Sequence, residues 1–575
     1  MSATVINLCP QRQQLLDTDV HLLILGGPGS GKTTIALAKA ARIIERSQIA
    51  RDQTVLFLSF ARATVARIAQ QMQAQVSKTA RAQIEINTYH GFTWNLIRSH
   101  GYLITGKKSL RLLPPPAAAA RMAGIAVEGR TAEQRRLLDS EGMLAFDLFA
   151  PLAAELVERS DRIARLLASS YPVIIVDEFQ DTNAEEWKLI KSLGKYCRLI
   201  ALGDPEQRIY EFRGADPARI GEYVKAFAPA VFDFGTENNR SNGTDIIVFG
   251  NDLLTGANQG KAYTNVKVSR YNYDGGEALS CIKYAILAAI NRLKGVSENG
   301  WSLAVLVNSK RFMLDVSSYL SSASERLNSI YHEALIDPEG PALTAVLIAG
   351  LLEGAANQET LTTIIMRDLI EHMRGHNGGN ANQADLKLAA AMEEFLRSGK
   401  IRGSARTMLL NEVRAIASQR QALSLHGDPE ADWLAVRRLL STAMHPKLQA
   451  VAEDAKFLRL LNRGAVLRAG LAEQWRRSGS YEGARGLIEA ALLQEHFSAS
   501  TRTWEGVHLM TIHKSKGKEF DEVIVLEGAR IGRLLRENAS DRDTDQARLT
   551  LRVAATRART RATILTPKWA SCPLL

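Results

Sequence analysis

The sequence predicts an α/β protein built from two parallel-sheet domains, each interrupted by an all-helical insertion. Three observations predict it. Short apolar runs in the first half alternate with loops and helical patterns, as β-α-β units do. Two Ala/Leu/Arg-rich helical stretches break that alternation. Strand-like runs return after the second stretch, near the C-terminal end. At roughly 150 residues per domain, 575 residues suggest three to four domains.

The elements follow in order. Leu22–Leu25, Thr54–Ser59, Val173–Val176 and Leu199–Leu202 are short apolar runs, each followed by a loop and a helical pattern, and are expected as parallel strands. Between Gly101 and Tyr171 the pattern changes: Pro114, Pro115 and Pro116 break the chain and a helical stretch follows. The first domain is therefore expected over 1–100 and 169–228, with 101–168 inserted. Strand signals at Ala230–Phe234 and Ser302–Val307 open a second domain over 229–341. From about Ala342 to Ser500 the chain has almost no β-branched clusters and reads as helical, with one Gly/Asn-rich loop at Gly375–Asn382. That stretch is the second insertion, 342–503; Val507–Thr511, Glu522–Leu526 and Ala562–Thr566 complete the second domain over 504–575. The polar stretch Arg536–Gln546 is expected as a mobile loop.

Composition narrows the function. With 46% hydrophobic and 23% charged residues the chain is neither disordered nor collagen-like. Lys and Arg number 72 against 61 Asp and Glu, a surplus of +11. That surplus favours a polyanionic partner, nucleic acid before membrane, although solubility alone accounts for it equally well. No apolar run reaches the ~18–20 residues of a membrane span, and no basic-then-apolar leader opens the chain, so neither a membrane nor a secretory route is expected. Cys9, Cys197, Cys281 and Cys572 lie far apart, which argues against a disulfide framework, a zinc ribbon or an iron–sulfur cluster. A reducing, cytoplasmic location is the expectation.

The chemistry-bearing motif comes early. Leu22–Leu25 runs into Gly26-Gly27-Pro28-Gly29-Ser30-Gly31-Lys32-Thr33-Thr34, a G-x-x-x-x-G-K-T loop between an expected strand and an expected helix. The glycines let backbone N–H groups turn onto a phosphate, and the helix adds its positive N-terminal end. Lys32 is expected on the β/γ-phosphates and Thr33 on Mg²⁺, which makes ATP and Mg²⁺ the expected ligands. A second apolar run, Val173–Val176, ends in Asp177-Glu178-Phe179-Gln180-Asp181. Two carboxylates at the end of a buried strand form a Walker B arrangement, with Asp177 as the metal ligand and Glu178 as the general base. A helix N-cap would explain Asp177 as well were there no phosphate loop.

The string Asp177–Asn183, D-E-F-Q-D-T-N, resembles the UvrD/Rep/PcrA branch of superfamily 1 helicases. Other blocks follow in family order. The resemblance implies two RecA-like P-loop NTPase domains, each with an all-helical insertion. It places Gln11 at the adenine-reading position. It places Phe60 and Arg62 in one DNA-contacting block, and His90 and Phe92 in Thr88-Tyr89-His90-Gly91-Phe92, the next. Leu202–Ala215 resembles the block coupling nucleotide to DNA: Gln207 would sense the γ-phosphate, and Tyr210 and Phe212 would stack on bases, beside Arg213. Arg240, in Glu237–Ser241, and Arg557, in Val553–Ala558, take the places of two arginine fingers. Thr511–Phe520 resembles the fifth block, which contributes Glu519 to the nucleotide and His513 to DNA. Core packing for the aromatics and structural hydrogen bonding for His90 and His513 are the competing readings.

The implied activity is a DNA-dependent ATPase that translocates on single-stranded DNA, 3′→5′, and opens single-strand/duplex junctions. The alternative is a nucleotide-gated DNA-sensing subunit of a nuclease complex that unwinds little. The short build also resembles the helicase-like subunit of Gabija-type antiphage systems, which works with an OLD-family nuclease. A small-molecule kinase or GTPase has no use for the Asp204–Ala215 and Thr511–Phe520 blocks.

Two departures from the family fall in one pocket. Thr34 stands where relatives carry an arginine over one face of adenine, and Asn239 where they carry a tyrosine over the other. Each lost stacking surface is worth about 1 kcal/mol. Hydrolysis of ATP, GTP and CTP should therefore differ by less than about tenfold in kcat/KM. A strong ATP preference at equal nucleotide concentrations would mean that another residue covers the base.

Overall fold

The computed structural model describes residues 9–60, 62–107, 109–207, 216, 218–235, 241, 243–272, 277–296, 300–323, 327–335, 339–456, 465–497 and 504–575. Among them the strands, in chain order, are β1 (Leu22–Leu25), β2 (Val55–Ser59), β3 (Ile84–Thr88), β4 (Arg111–Leu113), β5 (Met143–Ala145), β6 (Val173–Val176), β7 (Arg198–Gly203), β8 (Ala230–Asp233), β9 (Val266–Tyr271), β10 (Ser302–Val307), β11 (Glu333–Ala334), β12 (Gly506–Thr511), β13 (Phe520–Leu526) and β14 (Ala558–Pro567). The chain divides into two compact units, one of residues 1–100, 150–336 and 499–575, the other of 101–149 and 337–498.

The first unit holds two six-stranded sheets, both wholly parallel. Their orders are β3-β2-β6-β7-β1-β8 and β11-β12-β10-β13-β14-β9. Parallel strands are covered on both faces by crossover helices, so the central ones need continuous apolar runs. β6 and β10 are buried at every position. Each buried Val, Leu or Ile contributes about 1.5–3 kcal/mol.

Strands that the sequence does not announce lie at edges. β3 reads Ile-Glu-Ile-Asn-Thr and is half-buried in its middle; β9 reads Val-Lys-Val-Ser-Arg-Tyr and is buried only at its ends. An edge strand has one open side, so its apolar signal is diluted. β8 corrects an expectation. Assigned by sequence to the second domain, it pairs in parallel with β1, Leu22 to Ala230 through Leu25 to Asp233, and forms the edge of the first sheet. A strand's existence is written in its residues, but its pairing partner is a tertiary choice. Arg536–Gln546 also differs: the helix Asp541–Ala555 begins within it, capped by the Ser540 hydroxyl, which accepts from the Asp543 N–H.

Among its described residues the second unit is helical apart from the small parallel pair β4–β5. Its core is formed by the helices Glu339–Glu353, Gln358–Gly375, Ser404–Ala422, Pro429–Ser441 and their neighbours, around Leu347, Leu369, Val413 and Val436. The two expected insertions belong to this one unit, and the switch near the first comes at 149/150 rather than at 168. The Gly/Asn-rich loop supplies a reason. A Cβ on Gly375 would lie 3.0 Å from both the Ala120 Cβ and the Pro116 carbonyl oxygen, and one on Gly379, at φ 79°, would lie 2.7 Å from the Ala119 carbonyl oxygen. Only glycine lets helix Pro115–Met122 pack this closely. Among the described residues no helix is long and apolar enough to cross a membrane.

The motif around Asp177 ends in a capping box. The Asn183 Oδ1 accepts from the Glu186 N–H at 2.9 Å, and the Glu186 carboxylate accepts from the Asn183 N–H at 2.9 Å, opening the helix Ala184–Leu193. Asn183→Ala should destabilise the first unit by about 1 kcal/mol, read as a lower midpoint in chemical denaturation.

Candidate active site

A parallel sheet brings the carboxyl ends of all its strands to one edge, where loops converge. In the first sheet β6, β7 and β1 are consecutive neighbours. The loops that follow them, starting at Asp177, Asp204 and Gly26, therefore meet.

The loop after β1 is shaped for a phosphate. Gly29 and Gly31 adopt φ 79° and 87°, left-handed conformations open to glycine. The helix Lys32–Glu45 starts at Gly31 with no side-chain cap, which leaves its first-turn N–H groups for an anion. The Ser30 Oγ is buried in this loop and has no hydrogen-bond partner among the described residues. The Lys32 Nζ donates to the Gly26 and Gly27 carbonyls, the latter at 3.0 Å. The back of the loop is tied down: the Gly27 N–H donates to the Gly235 carbonyl at 3.0 Å, and the Arg12 guanidinium donates to the Ser30 carbonyl at 3.3 Å while lying 5.0 Å from the Phe234 ring centroid. Gln11 stands beside this site, its amide donating to the Asp233 carbonyl at 3.0 Å. Backbone N–H groups, a lysine and an orphaned hydroxyl form a donor set that fits a polyphosphate. A hydroxyl at Thr33 and a carboxylate at Asp177 are hard oxygen ligands of the kind Mg²⁺ takes.

Asp177, buried, and Glu178, half-buried, are the acids at the end of β6. Burial, then the neighbouring Glu178 charge, push the Asp177 carboxyl above its ordinary range, against Arg67 and Lys32, which pull it down. Burial works on Glu178 as well, but Lys516, Lys32, the hydrogen bond from Gln180 and Arg557 outweigh it and hold this carboxylate below its ordinary range. Glu178 therefore stays ionised, as a general base must. Its backbone sits at φ 52°, ψ 39°, the left-handed region that non-glycine residues rarely adopt and that surrounding contacts must enforce.

The second sheet's elements supply cations to this place. The Lys516 Nζ lies 2.5 Å from the Asp181 Oδ2 and 3.8 Å from the Glu178 Oε2, and all but Glu178 are nearly inaccessible. Arg557 is buried with its Nε donating to the Val553 carbonyl at 3.0 Å, and its charge acts on Glu178. Glu519, expected on the nucleotide, is instead clamped between two arginines, 2.7 Å from the Arg67 Nη1 and 3.4 Å from the Arg559 Nη2. Its position three residues after Lys516 puts it at the same cleft, but its carboxylate is spent on ion pairs.

The expected DNA contacts divide. Phe60 is half-buried and stacks on Tyr89, with centroids 4.7 Å apart. His90 and His513 are half-buried; burial, then Lys516, lower the His513 pKa and keep its ring neutral. Phe92 corrects an expectation. It is 5% exposed and packs edge-on to Tyr171, a core residue of its helix rather than a surface for a base. Tyr210, Phe212, Arg213 and Arg240, with the side chains of Arg62 and Gln207, lie outside the described residues.

Sequence reasoning missed Arg12, Arg67, Gln180, Asp181 and Lys516 as members of the site. The last three stand inside motifs that were recognised, yet the partner of Lys516 is 335 positions away and no spacing rule reaches it.

A phosphate loop on one parallel sheet, faced by cations carried on a second, defines a two-lobed P-loop NTPase. Comparison with known families then narrows the class. Residues 12–213 match the family described as "AAA domain", and residues 472–568 match the "UvrD-like helicase C-terminal domain". The chain is 23% identical over 588 residues to a "Probable DNA helicase II homolog" of Rickettsia conorii, covering 90% of this chain and 85% of that one. It is 23% identical over 591 residues to "DNA helicase II" of Escherichia coli K12, covering 90% and 78%. Against "ATP-dependent DNA helicase PcrA" of Staphylococcus aureus it is 25% identical over 282 residues, covering 41% and 38%. These matches support a UvrD/Rep/PcrA-like helicase of superfamily 1.

Removing one partner of a buried ion pair strands the other charge, at about 3–5 kcal/mol. Lys516→Met should lower the thermal midpoint markedly, and Lys516→Met with Asp181→Asn should recover most of the loss. A Lys516→Met protein as stable as the parent would show that Asp181 does not need this cation.

Proposed function

We propose that this chain is an ATP-dependent DNA helicase that moves along single-stranded DNA in the 3′→5′ direction, with hydrolysis coupled to closure of its two lobes. The observation that carries the reading is the convergence of Lys516 and Arg557, from the second sheet's elements, on Glu178 at the end of β6 in the first.

The residues divide the work. The first-turn amides after Gly31 and the Lys32 ammonium bind the β- and γ-phosphates. Thr33 and Asp177 would hold Mg²⁺, which when bound neutralises phosphate charge. Glu178, kept ionised by its cationic neighbours, takes the proton of the attacking water. Arg557 places a fixed positive charge where the transferring phosphoryl group spreads its own, and Arg240 joins it by resemblance. Arg557 is carried on the second lobe, so lobe placement gates cleavage. Gln11 is the adenine-reading group, and Phe60, with Tyr210 and Phe212 by resemblance, offers rings on which any base can stack.

Purified protein should hydrolyse ATP slowly alone and faster with single-stranded DNA. Lys32→Ala and Glu178→Gln should each reduce turnover by at least about 10³-fold while retaining most single-strand affinity. A duplex with a 3′ single-stranded tail should be opened in preference to one with a 5′ tail. Affinity for the strand should fall steeply with salt as phosphate contacts release counterions. Turnover with no strand displacement on either tail would make the chain a DNA-gated ATPase rather than an unwinding enzyme. Normal turnover in either variant would overturn the active-site reading.

A further inference from the structure

Glu178 has a neighbour that the hydrolytic roles above leave idle. Gln180 is 1% exposed, and its carboxamide is committed at both ends. Its Nε2 donates to the Glu178 Oε2 at 2.6 Å, and its Oε1 accepts from the Asp204 backbone N–H at 3.0 Å. An amide held this way cannot turn or shift without releasing one of the two. The position of Asp204 is thereby transmitted to the Glu178 carboxylate.

Asp204 is itself held from the other lobe. Arg552, on the helix Asp541–Ala555 that covers the second sheet, is 1% exposed. Its Nη1 donates to the Glu206 carbonyl at 3.3 Å and lies 3.9 Å from the Asp204 Oδ2. Its Nη2 lies 2.8 Å from the Glu206 Oε2 and donates to the Asn251 Oδ1 at 3.2 Å. The same nitrogen lies 3.8 Å from where a Cβ on Gly27 would stand. The loop is braced internally, the Asp204 Oδ1 accepting from the Glu206 N–H at 3.0 Å. One planar guanidinium therefore touches the loop after β7 and the helix Ile246–Thr255 together, in the neighbourhood of Gly27. A lysine, a point charge, could not satisfy these directions at once.

We propose that Arg552 is a positioning residue that transmits the placement of the second lobe, through Asp204 and Gln180, to the carboxylate of Glu178. The path runs Arg552, Asp204–Glu206, Gln180, Glu178, and each link is a hydrogen bond or close ion pair. It deepens the proposed hydrolysis and rests on Glu178 being its base. The left-handed backbone at Glu178 makes the relay consequential, because that conformation is held by contacts rather than by its own preference. Arg552 forms and breaks no bond; it decides whether the base points at the water.

The test is steady-state ATP hydrolysis by the full chain with an oligothymidylate strand, for Gln180→Leu, Arg552→Met, their combination, and Glu206→Ala, with thermal midpoints recorded for each. Gln180→Leu and Arg552→Met should each lower kcat about 10–100-fold with KM for ATP changed less than about twofold. The combination should be no slower than the slower single variant, since both cut one path. Arg552 is fully buried, so Arg552→Met risks the fold; the Glu206 side chain is 52% exposed, and Glu206→Ala keeps the fold while removing an Arg552 partner. A folded Glu206→Ala with unchanged kcat overturns the relay. So do losses in the double variant that multiply, or an Arg552→Met that raises KM and spares kcat, which would put Arg552 on the nucleotide itself. Glu178→Gln run alongside separates the two readings: if it still turns over, the assignment of the base has failed, whatever the relay variants do.

Discussion

The constraint on which this site depends is the burial of Asp177 and Asp181, with the half-buried Glu178 between them, at the end of a strand that has no cation of its own. Buried anions must be paired or neutralised. Lys32 and Arg67 supply part of the charge from the first sheet's elements. Lys516 and Arg557 supply the rest from the second. The first lobe is therefore electrostatically incomplete without the second. The proposed coupling of cleavage to how the lobes meet rests on that incompleteness.

The acids are not equivalent, and the difference is produced by neighbours rather than by type. Asp177 is pushed up by burial and by Glu178, whereas Glu178 is held down by four partners. The same environment that pushes the Asp177 carboxyl up keeps Glu178 charged. The Gln180 carboxamide fixes the direction of that charge, and the strained backbone beneath it leaves the side chain dependent on such contacts.

Around this centre the two parallel sheets act as rigid mounts. Their strands end at common edges, so loops far apart in the chain arrive together without long connections of their own. The helical unit obeys a separate logic. It has its own core, and its close packing on helix Pro115–Met122 depends on glycines at 375 and 379, where any side chain would meet backbone or a neighbouring Cβ.

By itself the sequence determined the local, covalently adjacent features. The phosphate loop and the acids after β6 were legible because their chemistry needs consecutive residues, and β1, β6 and β10 because strands buried on both faces are apolar throughout. The half-open edge strands β3 and β9 were not legible, since one exposed side mixes polar residues into the pattern. Only the tertiary structure decided that β8 joins the first sheet, that the two insertions form one unit, that Phe92 is core, that Glu519 is clamped by Arg67 and Arg559, and that Arg552, Gln180 and Lys516 converge on the acids. Each of these is a choice of partner across tens to hundreds of residues. Such choices are made by burial and charge balance in the folded state, which no local spacing records.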